Sequence, residues 1–462
     1  MGNEFKKKTL SILIVACTQL LTAWGAAEKA NLVFILADDL GYGDVGCFGA
    51  PDIKTPNIDR LAEEGIKFTS NYSNSAICSP TRAAFMTGRF FQRIGLEWAV
   101  WYQAPGEGLP PEETSLATML KSVGYQTALA GKWHLGYEEG WRPNQHGFDH
   151  FFGCLGGNVN YFEHYDKAGT HDLFLNEAAL HTKGYVTDLT ADYAVQFIKQ
   201  AKEQPFFLFA SFNAPHFPFQ GPDDEDTNFT WSEGTRVDNY IPMVKSLDEA
   251  VGRIIEAIDS AGLADKTLIV FTSDNGGEKL ARNHPLHGRK GTLWEGGIRV
   301  PAVARWTNHI EAGRISDHPI QTIDWTATLL DLASANTPKN RPLEGVSLVP
   351  LLTEPQTLES RPLFFRRSLD PHRSRVNPQR AVRIGNWKYM DAPDGERHLF
   401  DLKKDMAESH NLIDQRPARA VDMRSLLDNW ESEVDPPLYD QRGQALKKRR
   451  LDKFQTKPWQ PL

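Results

Sequence analysis

Carboxylate and amide side chains follow directly after two of the apolar runs in this sequence. Asp38 and Asp39 follow the first run, and Asp274 and Asn275 follow a much later one. Oxygen ligands of this kind suit Ca²⁺ or Mg²⁺ and suit zinc or copper poorly. One Asp pair alone is more simply a helix cap or a turn. Two pairs at the ends of two strands favour a metal site.

Cationic side chains occupy comparable positions. Lys132 and His134 follow a third apolar run, His216 follows a fourth, and Arg82 and Lys290 complete the set. A metal ion together with fixed positive charge is what a tetrahedral oxyanion requires, so phosphate and sulfate esters both fit. A single Lys or His would most often be a surface residue or a satisfied hydrogen-bond donor. These residues therefore count only if they share one edge of the fold.

The candidate nucleophile is Cys78, which begins the segment CSPTRAAFMTGR. It can be interpreted as a catalytic thiolate, as a thiol packed in the core, or as a residue that is modified after synthesis. Composition and spacing alone do not choose among these three interpretations.

The elements that must position these residues alternate along the chain. Short apolar runs predict buried strands, and the segments between them predict amphipathic helices, a pattern typical of an α/β fold with a mostly parallel sheet covered on both faces. In an open parallel sheet the carboxyl ends of the strands lie at one edge, where ligands bind. The strands that carry the candidate residues are predicted at 31–37, 126–130, 205–211 and 267–273.

Two helices have clear limits in the sequence. Thr55 is the expected cap of a helix that has Pro56 at its first position and Gly65 after its end. A long helix is predicted at about residues 238–260, just before the last of these strands.

Composition bounds the class of protein. The 462 residues are 40% hydrophobic and 24% charged, which excludes a disordered, collagen-like or disulfide-stapled chain. The net charge of −8 argues against nucleic-acid binding. We predict a catalytic domain at residues 28–350, a small α+β domain at 351–440 with strands at 381–390 and 398–402, and a polar tail at 441–462.

Residues 1–27 predict a secretory signal peptide. Lysines at positions 6–8 precede an apolar run at 10–21 and then a group of small residues. The run is shorter than the ~20 residues that a membrane-spanning helix needs, so no transmembrane segment is expected in the mature chain. We expect export to the periplasm or the extracellular space. The residues before Cys17 resemble a lipoprotein box, so a lipid tether through Cys17 is the alternative to a free mature protein.

The segment that begins at Cys78 contains the pattern Cys-x-Pro-x-Arg followed by Thr-Gly. With it the sequence resembles the formylglycine-dependent sulfatases of the alkaline phosphatase superfamily, and among them the bacterial carbohydrate sulfatases of the arylsulfatase and N-acetylgalactosamine-6-sulfatase type. The resemblance extends over about residues 31–412 and includes the segments DDLGYGD, GKWHLG, GRKG and EGGIRVP. It implies an alkaline-phosphatase-like fold and the hydrolysis of sulfate esters.

The resemblance also implies how the nucleophile and the metal ion are arranged. Cys78 would be oxidised to formylglycine (3-oxoalanine) by a host formylglycine-generating enzyme or an anaerobic sulfatase-maturing enzyme. Hydration would give a gem-diol, one hydroxyl of which attacks sulfur. Arg82 would hold the modified side chain. One Ca²⁺ would be bound by residue 78 together with four oxygen donors, Asp38, Asp39, Asp274 and Asn275.

The same resemblance implies roles for the remaining cations. Lys132, His216 and Lys290 would bind sulfate oxygens. Either His216 or Lys290 would protonate the departing alkoxide, and His134 would take a proton from the sulfated diol so that sulfate leaves.

Signals for the substrate are weaker. Residues 156–165, among them Asn158, are rich in aromatic and amide side chains that suit the faces and hydroxyls of sugars, although a structural loop explains them nearly as well. His284 and His287 precede Lys290 and are candidate contacts to the leaving sugar.

A basic island is the second signal for the substrate. It consists of Arg366, Arg367, His372, Arg373 and Arg375. We expect it either over the active-site edge, where it would hold further sulfates or uronates of a polymer, or in an exposed loop whose arginines pair with local acids.

The favoured function is therefore an exported sulfatase that releases inorganic sulfate from a sulfated glycan, either an algal polysaccharide or a glycosaminoglycan. The competing enzymes are a small-molecule aryl or alkyl sulfatase and a phosphonate or phosphate monoesterase with the same modified residue. From a different class, an inactive sulfatase-like glycan-binding protein would share the fold.

Overall fold

The computed structural model describes residues 29–101, 106–225, 231, 237–354, 357–368, 378–392 and 395–437. The predicted signal peptide with Cys17 and the predicted polar tail lie outside these residues. Within the described ranges, no helix is both long and apolar enough to cross a membrane.

Within the described residues, a mixed ten-stranded sheet forms the centre of the fold. In the order of the sheet its strands are β11 (Arg314–Ser316), β2 (Ile66–Phe68), β10 (Ala302–Arg305), β9 (Thr267–Ser273), β1 (Asn31–Ala37), β8 (Phe206–Ser211), β4 (Gln126–Gly131), β5 (His150–Gly153), β6 (Phe174–Leu175) and β7 (Ala178–Ala179). The five central strands, from β9 to β5, are all parallel. A separate parallel pair consists of β3 (Asn71–Tyr72) and β12 (Ile320–Gln321).

Helices cover both faces of this sheet. The helices of the described residues are α1 (Pro56–Glu63), α2 (Cys78–Thr87), α3 (Leu116–Ser122), α4 (Val186–Ala201), α5 (Tyr240–Ser260), α6 (Glu295–Ile298), α7 (Thr322–Leu332), α8 (Val349–Thr353) and α9 (Pro417–Glu433), of which α9 packs on the C-terminal sheet and not on this one. Alternate residues of β1 contribute to two cores, one with α1, α4 and α5 and the other with α2, α3 and α7. Because both faces are covered, every residue of β1, β8 and β9 is buried, as their unbroken apolar runs predict.

The limits of α1 agree with the sequence, but the two flanking residues act differently from the prediction. Thr55 lies at the N-cap position, yet its hydroxyl accepts a hydrogen bond from the Gly46 amide at 2.8 Å instead of capping the helix. A Cβ at Gly65 would lie 2.0 Å from the carbonyl oxygen of Ala304. Gly65 is therefore needed because β10 approaches closely, and not to end the helix.

A smaller C-terminal unit consists of an antiparallel sheet and α9. Its strands are β13 (Leu363–Arg367), β14 (Gln379–Ile384), β15 (Trp387–Asp391) and β16 (Arg397–Asp401). The single strand predicted at 381–390 is wrong, because the chain turns at Gly385, whose φ of 54° lies in the left-handed region. The α/β fold with a small C-terminal α+β unit is confirmed, whereas the domain limits at 350 and 440 stay predictions.

A buried charged cluster joins this unit to the large sheet. The Lys388 ammonium lies 3.0 Å from a carboxylate oxygen of Glu295 and 2.7 Å from one of Glu408. Glu408 also accepts a hydrogen bond from the Glu295 backbone amide at 2.7 Å. Glu295 begins the EGGIRVP segment, so this segment contributes a contact between the two units.

Candidate active site

Four neighbouring strands end at the same edge of the sheet. Asp38 and Asp39 follow β1, and Asp274 follows β9, which pairs in parallel with β1 from its first residue to its last. Lys132 follows β4, and His216 lies five residues beyond β8. Because these strands are parallel neighbours, the topology collects at one edge residues that are far apart in sequence.

Two lysines contact the two aspartates at the end of β1. Lys132 Nζ lies 2.5 Å from Asp38 Oδ2, and both side chains are fully buried. Lys290 Nζ lies 2.6 Å from Asp39 Oδ2. The backbone of Asp39 has a φ of 62°, a left-handed conformation that a non-glycine residue rarely adopts. This strained turn presents two successive carboxylates to one site.

Cys78 is the first residue of α2 and lies against the same carboxylates. Its Sγ is 3.5 Å from Asp38 Oδ1 and 3.8 Å from Asp39 Oδ1. Burial and the nearby charge of Asp274 raise the pKa of the thiol well above its usual value. A catalytic thiolate needs the opposite shift, so the environment of Cys78 disfavours that interpretation.

Arg82 lies one turn further along α2 and binds the next strand end. Its Nη2 is 2.9 Å from Asp274 Oδ2 and 3.8 Å from Asp38 Oδ1, and its side chain is fully buried. Its Nη1 donates to Ser211 Oγ at 2.6 Å and to the carbonyl of Lys132 at 3.1 Å. Arg82 thus ties α2 to the ends of β4, β8 and β9.

The donor set at this edge fits a hard divalent cation. Ligand atoms of Asp38, Asp39, Cys78 and His216 lie within 4.8 Å of one another. Asn275 Oδ1 is buried and has no hydrogen-bond partner among the described residues. A cation that accepts oxygen ligands would satisfy this atom and balance the neighbouring carboxylates.

Protonation states follow from burial and from the neighbouring charges. Burial, together with the negative charge of Asp38, raises the pKa of Asp274 to about 6. Asp39 raises the pKa of Lys290 well above its usual value, although burial opposes that shift.

The two imidazoles shift in the opposite direction. Burial and Lys290 lower the pKa of His216 to about 4. Burial and Lys132 lower the pKa of His134 well below its usual value. The site therefore holds lysine and arginine charges beside two neutral imidazoles.

His134 is held in place by backbone groups and by a glycine. Its φ is 59°, and its Nε2 lies 3.1 Å from the carbonyl oxygen of Val100. A Cβ at Gly157 would lie 2.6 Å from that same nitrogen. The absence of a side chain at residue 157 is therefore required for the imidazole to occupy its position.

A cavity of about 170 Å³ opens at this edge. Cys78, His134, His216, Lys290 and the predicted Asn158 line it. Lys132 is fully buried and binds Asp38 beneath the cavity lining. His284 and His287 are exposed and are not among the described lining residues, and His287 stacks on Trp294 with ring centres 4.5 Å apart.

One part of the lining was missed by the sequence analysis. Ala99, Val100 and Trp101 line the cavity, and Trp101 is 38% exposed. They belong to the segment EWAVW, which shows neither helical nor strand periodicity. The two tryptophans in five residues are the only signal by which the sequence could have identified it.

The two arginines of the basic island that the structure describes are buried and are not part of a solvated surface. Arg366 is 1% exposed and pairs with Glu97, which is equally buried. Arg367 is also buried, and its guanidinium lies 5.0 Å from the ring centre of Trp98. The alternative of an exposed loop is therefore wrong for these two arginines, because β13 buries both of them against residues 97 and 98. Their contact with a substrate stays a prediction. Arg373, Arg375 and His372 lie outside the described residues.

Comparisons with known proteins agree with this geometry. Residues 30–335 match the model of the Sulfatase family, and residues 285–432 match that of the N-sulphoglucosamine sulphohydrolase C-terminal domain. An N-acetylgalactosamine-6-sulfatase from Rattus norvegicus is 33% identical over 450 residues, covering 91% of this chain and 80% of its own. Arylsulfatase A from Homo sapiens is 33% identical over 444 residues, covering 85% of each chain.

A solved structure shares the fold and about a third of the aligned residues. The crystal structure of Ps i-CgsB in complex with k-i-k-neocarrahexaose superposes with a TM-score of 0.81 at 32% identity, over 93% of this chain and all of the other. Its likeness extends through the large sheet and the C-terminal unit.

Proposed function

Because the chain belongs to the sulfatase family and is a sulfuric ester hydrolase, we propose that it hydrolyses the sulfate esters of a sulfated carbohydrate and releases inorganic sulfate. The observation that carries the proposal is the position of Cys78 at the start of α2. Its Sγ lies within 3.8 Å of two carboxylates, and the cavity that it lines also holds Lys290, His216 and His134.

Position 78 and the carboxylates around it fit the groups that the family uses. A formylglycine made from Cys78 and one Ca²⁺ would supply an activated oxygen nucleophile and a Lewis acid at sulfur. Residue 78 would hold the metal ion together with four oxygen donors, Asp38, Asp39, Asp274 and Asn275. Arg82 steadies this arrangement because it binds Asp274 at 2.9 Å while it shares a helix with residue 78.

The remaining charged residues bind sulfate and move protons. Lys290 and His216 line the cavity and would bind sulfate oxygens, and Lys132 would add positive charge from below. Either Lys290 or His216 is placed to donate a proton to the leaving oxygen, since both contact Asp39 Oδ2 and face the same cavity. Lys290 is the favoured donor, because His216 is neutral in this environment. His134, which is neutral in this environment, can accept the proton that is released at residue 78.

A carbohydrate substrate is supported by the relatives and by the cavity. One relative acts on N-acetylgalactosamine 6-sulfate according to its name, and a solved relative was crystallised with a neocarrahexaose. Asn158 lines the cavity and is the predicted contact to sugar hydroxyls. We include both glycosaminoglycan and algal polysaccharide sulfates in this class.

Export and maturation complete the proposal. The lysines at 6–8 and the apolar run at 10–21 would direct the chain to the periplasm or beyond, either free or tethered through Cys17. A host formylglycine-generating or anaerobic sulfatase-maturing enzyme is then the required partner.

Two measurements on protein from its native host test the proposal. The tryptic peptide that contains residue 78 should be lighter than the unmodified peptide by about 18 Da, the mass change from thiol to aldehyde. The same preparation should release sulfate from 6-sulfated N-acetylgalactosamine or carrageenan oligosaccharides, and a Cys78→Ala variant should not. An unmodified Cys78 with glycan binding but no sulfate release would support a glycan-binding protein instead. Faster turnover of nitrophenyl phosphate than of any sulfate ester would support a phosphate monoesterase.

A further inference from the structure

The apolar part of the cavity lining comes almost entirely from one short segment. Ala99, Val100 and Trp101 belong to it, and Ile77 joins them from the position just before Cys78. Trp101 lines the cavity and is 38% exposed, so part of this large aromatic residue is accessible beside an otherwise charged site. An aromatic side chain next to an anion site is suited to contact the sugar ring to which a sulfate group is attached.

The backbone next to Trp101 is fixed to the catalytic residues. The Val100 amide donates to Ser79 Oγ at 3.0 Å, and the Val100 carbonyl lies 3.1 Å from His134 Nε2. The Ser79 hydroxyl in turn donates to the carbonyl of His134 at 2.8 Å. Val100, the residue before Trp101, is therefore bound through its amide to Ser79 and through its carbonyl to His134. Such fixation lowers the ordering cost when a ligand binds.

The other end of the segment is fixed to the C-terminal unit. Glu97 and Arg366 form a buried ion pair at 2.5 Å, and the Arg367 guanidinium lies over the ring of Trp98. Residues 97–101 are thus held at two points by separate parts of the fold. The backbone that leads to Trp101 is therefore fixed relative to the cavity.

We propose that Trp101 is the platform on which the sulfated sugar ring stacks while its sulfate group lies beside Lys290 and His216. The proposal rests on the function proposed above and narrows its substrate class to sulfates of pyranose rings, whose C–H faces are apolar, as opposed to flexible alkyl sulfates. The stacking contact is present before and during the chemical step. It therefore acts on KM and leaves kcat nearly unchanged.

The test compares Trp101→Ala and Trp101→Phe with the parent protein. Binding of sulfated oligosaccharides is measured by calorimetry in a Cys78→Ala background, and KM and kcat are measured in the matured protein. Trp101→Ala should raise both Kd and KM by roughly 10- to 100-fold, the size expected when a large aromatic contact is lost. Trp101→Phe, which keeps a planar ring, should retain most of the affinity. Inhibition by inorganic sulfate, which has no sugar, should be the same in all three proteins.

Each result has a distinct meaning. Equal Kd values for Trp101→Ala and its parent would overturn the platform while sulfate release still supports the sulfatase. Loss of inhibition by inorganic sulfate in both Trp101 variants would also overturn the platform. The indole would then be needed to maintain the sulfate-binding site, and not to contact the sugar. Binding that depends on Trp101 without any sulfate release would retain the platform and reject the proposed function. If no sulfated sugar binds or reacts, both are rejected.

Discussion

Arg366 Nη2 lies 2.5 Å from Glu97 Oε1, and both side chains are 1% exposed. This ion pair joins β13 of the C-terminal unit to the segment that lines the active-site cavity. The same guanidinium donates to the Asp435 carbonyl at 2.7 Å and lies 6.0 Å from the ring centre of Trp430. The two units of the fold are therefore connected at the wall of the cavity and not only through the Lys388 cluster.

We expect Arg366→Ala to destabilise the protein strongly. The change would leave the Glu97 carboxylate buried without its partner, a situation that costs about 3–5 kcal/mol. The free energy of unfolding, measured in urea, checks this value. Arg253→Ala is the matched control, because Arg253 pairs with exposed Asp188 and Asp192 and its loss should cost no more than about 1 kcal/mol. Equal losses in the two variants would contradict a special role for the buried pair.

The pH dependence of stability should change in Glu97→Gln. Burial raises the pKa of Glu97 from 4.5 to about 7, and Arg366 opposes the shift only in part. Between these two values the folded state keeps a proton that the unfolded state has lost, so the contribution of Glu97 to stability falls as pH rises. The unfolding free energy of the parent should therefore fall more steeply from pH 5 to pH 7 than that of Glu97→Gln, by up to about 3 kcal/mol. Parallel curves would show that Glu97 does not titrate in this range.

The sequence predicted the central residues of the site because a simple rule places them. Asp38, Lys132, His216 and Asp274 all follow apolar runs, and parallel strands bring the residues after such runs to one edge. No knowledge of side-chain packing was needed to bring them together.

The wall of the cavity could not be predicted in this way. Glu97 and Arg366 are 269 residues apart, and only the docking of β13 makes them neighbours. Their local charge alone therefore predicted Arg366 and Arg367 either over the active-site edge or in an exposed loop. The segment that contains Trp101 has no helical or strand periodicity. Its place in the fold depends on hydrogen bonds of Val100 with Ser79 and His134, which are distant in sequence.

Calcium should stabilise the folded protein. Asp38 and Asp39 belong to one cluster of candidate ligands, and the Asp39 amide donates to Asp274 Oδ1 at 3.3 Å. Burial and the charge of Asp38 raise the pKa of Asp274 to about 6, so a bound cation would relieve the repulsion among these carboxylates. At a free Ca²⁺ concentration 100 times the Kd, the expected gain is about 2.7 kcal/mol. Thermal unfolding with Ca²⁺ and with a chelator measures it. Asn275→Ala should reduce the gain, whereas the surface variant Asp188→Asn should keep it. A full gain in Asn275→Ala would exclude that side chain from the metal site.

Gly157→Ala should impair catalysis without unfolding the protein. The backbone of Gly157 does not adopt a positive φ, so alanine is tolerated locally, but its Cβ would lie 2.6 Å from His134 Nε2. The imidazole must then move, and its Nε2 contact with the Val100 carbonyl at 3.1 Å must change. A displacement of about 1 Å in a catalytic group can cost roughly 100-fold in rate, so we expect kcat to fall by roughly 10- to 100-fold.

Two further measurements separate this effect from a general loss of structure. The thermal midpoint of Gly157→Ala should stay near that of the parent, and inhibition by inorganic sulfate should persist, because Lys290 and His216 are not displaced by the new methyl group. A variant with unchanged kcat would mean that His134 can move without consequence and is not the residue that accepts the proton. A variant that loses inhibition by sulfate together with kcat would mean that Gly157 shapes the anion site itself, and the role of His134 would then be tested by His134→Ala in the parent background.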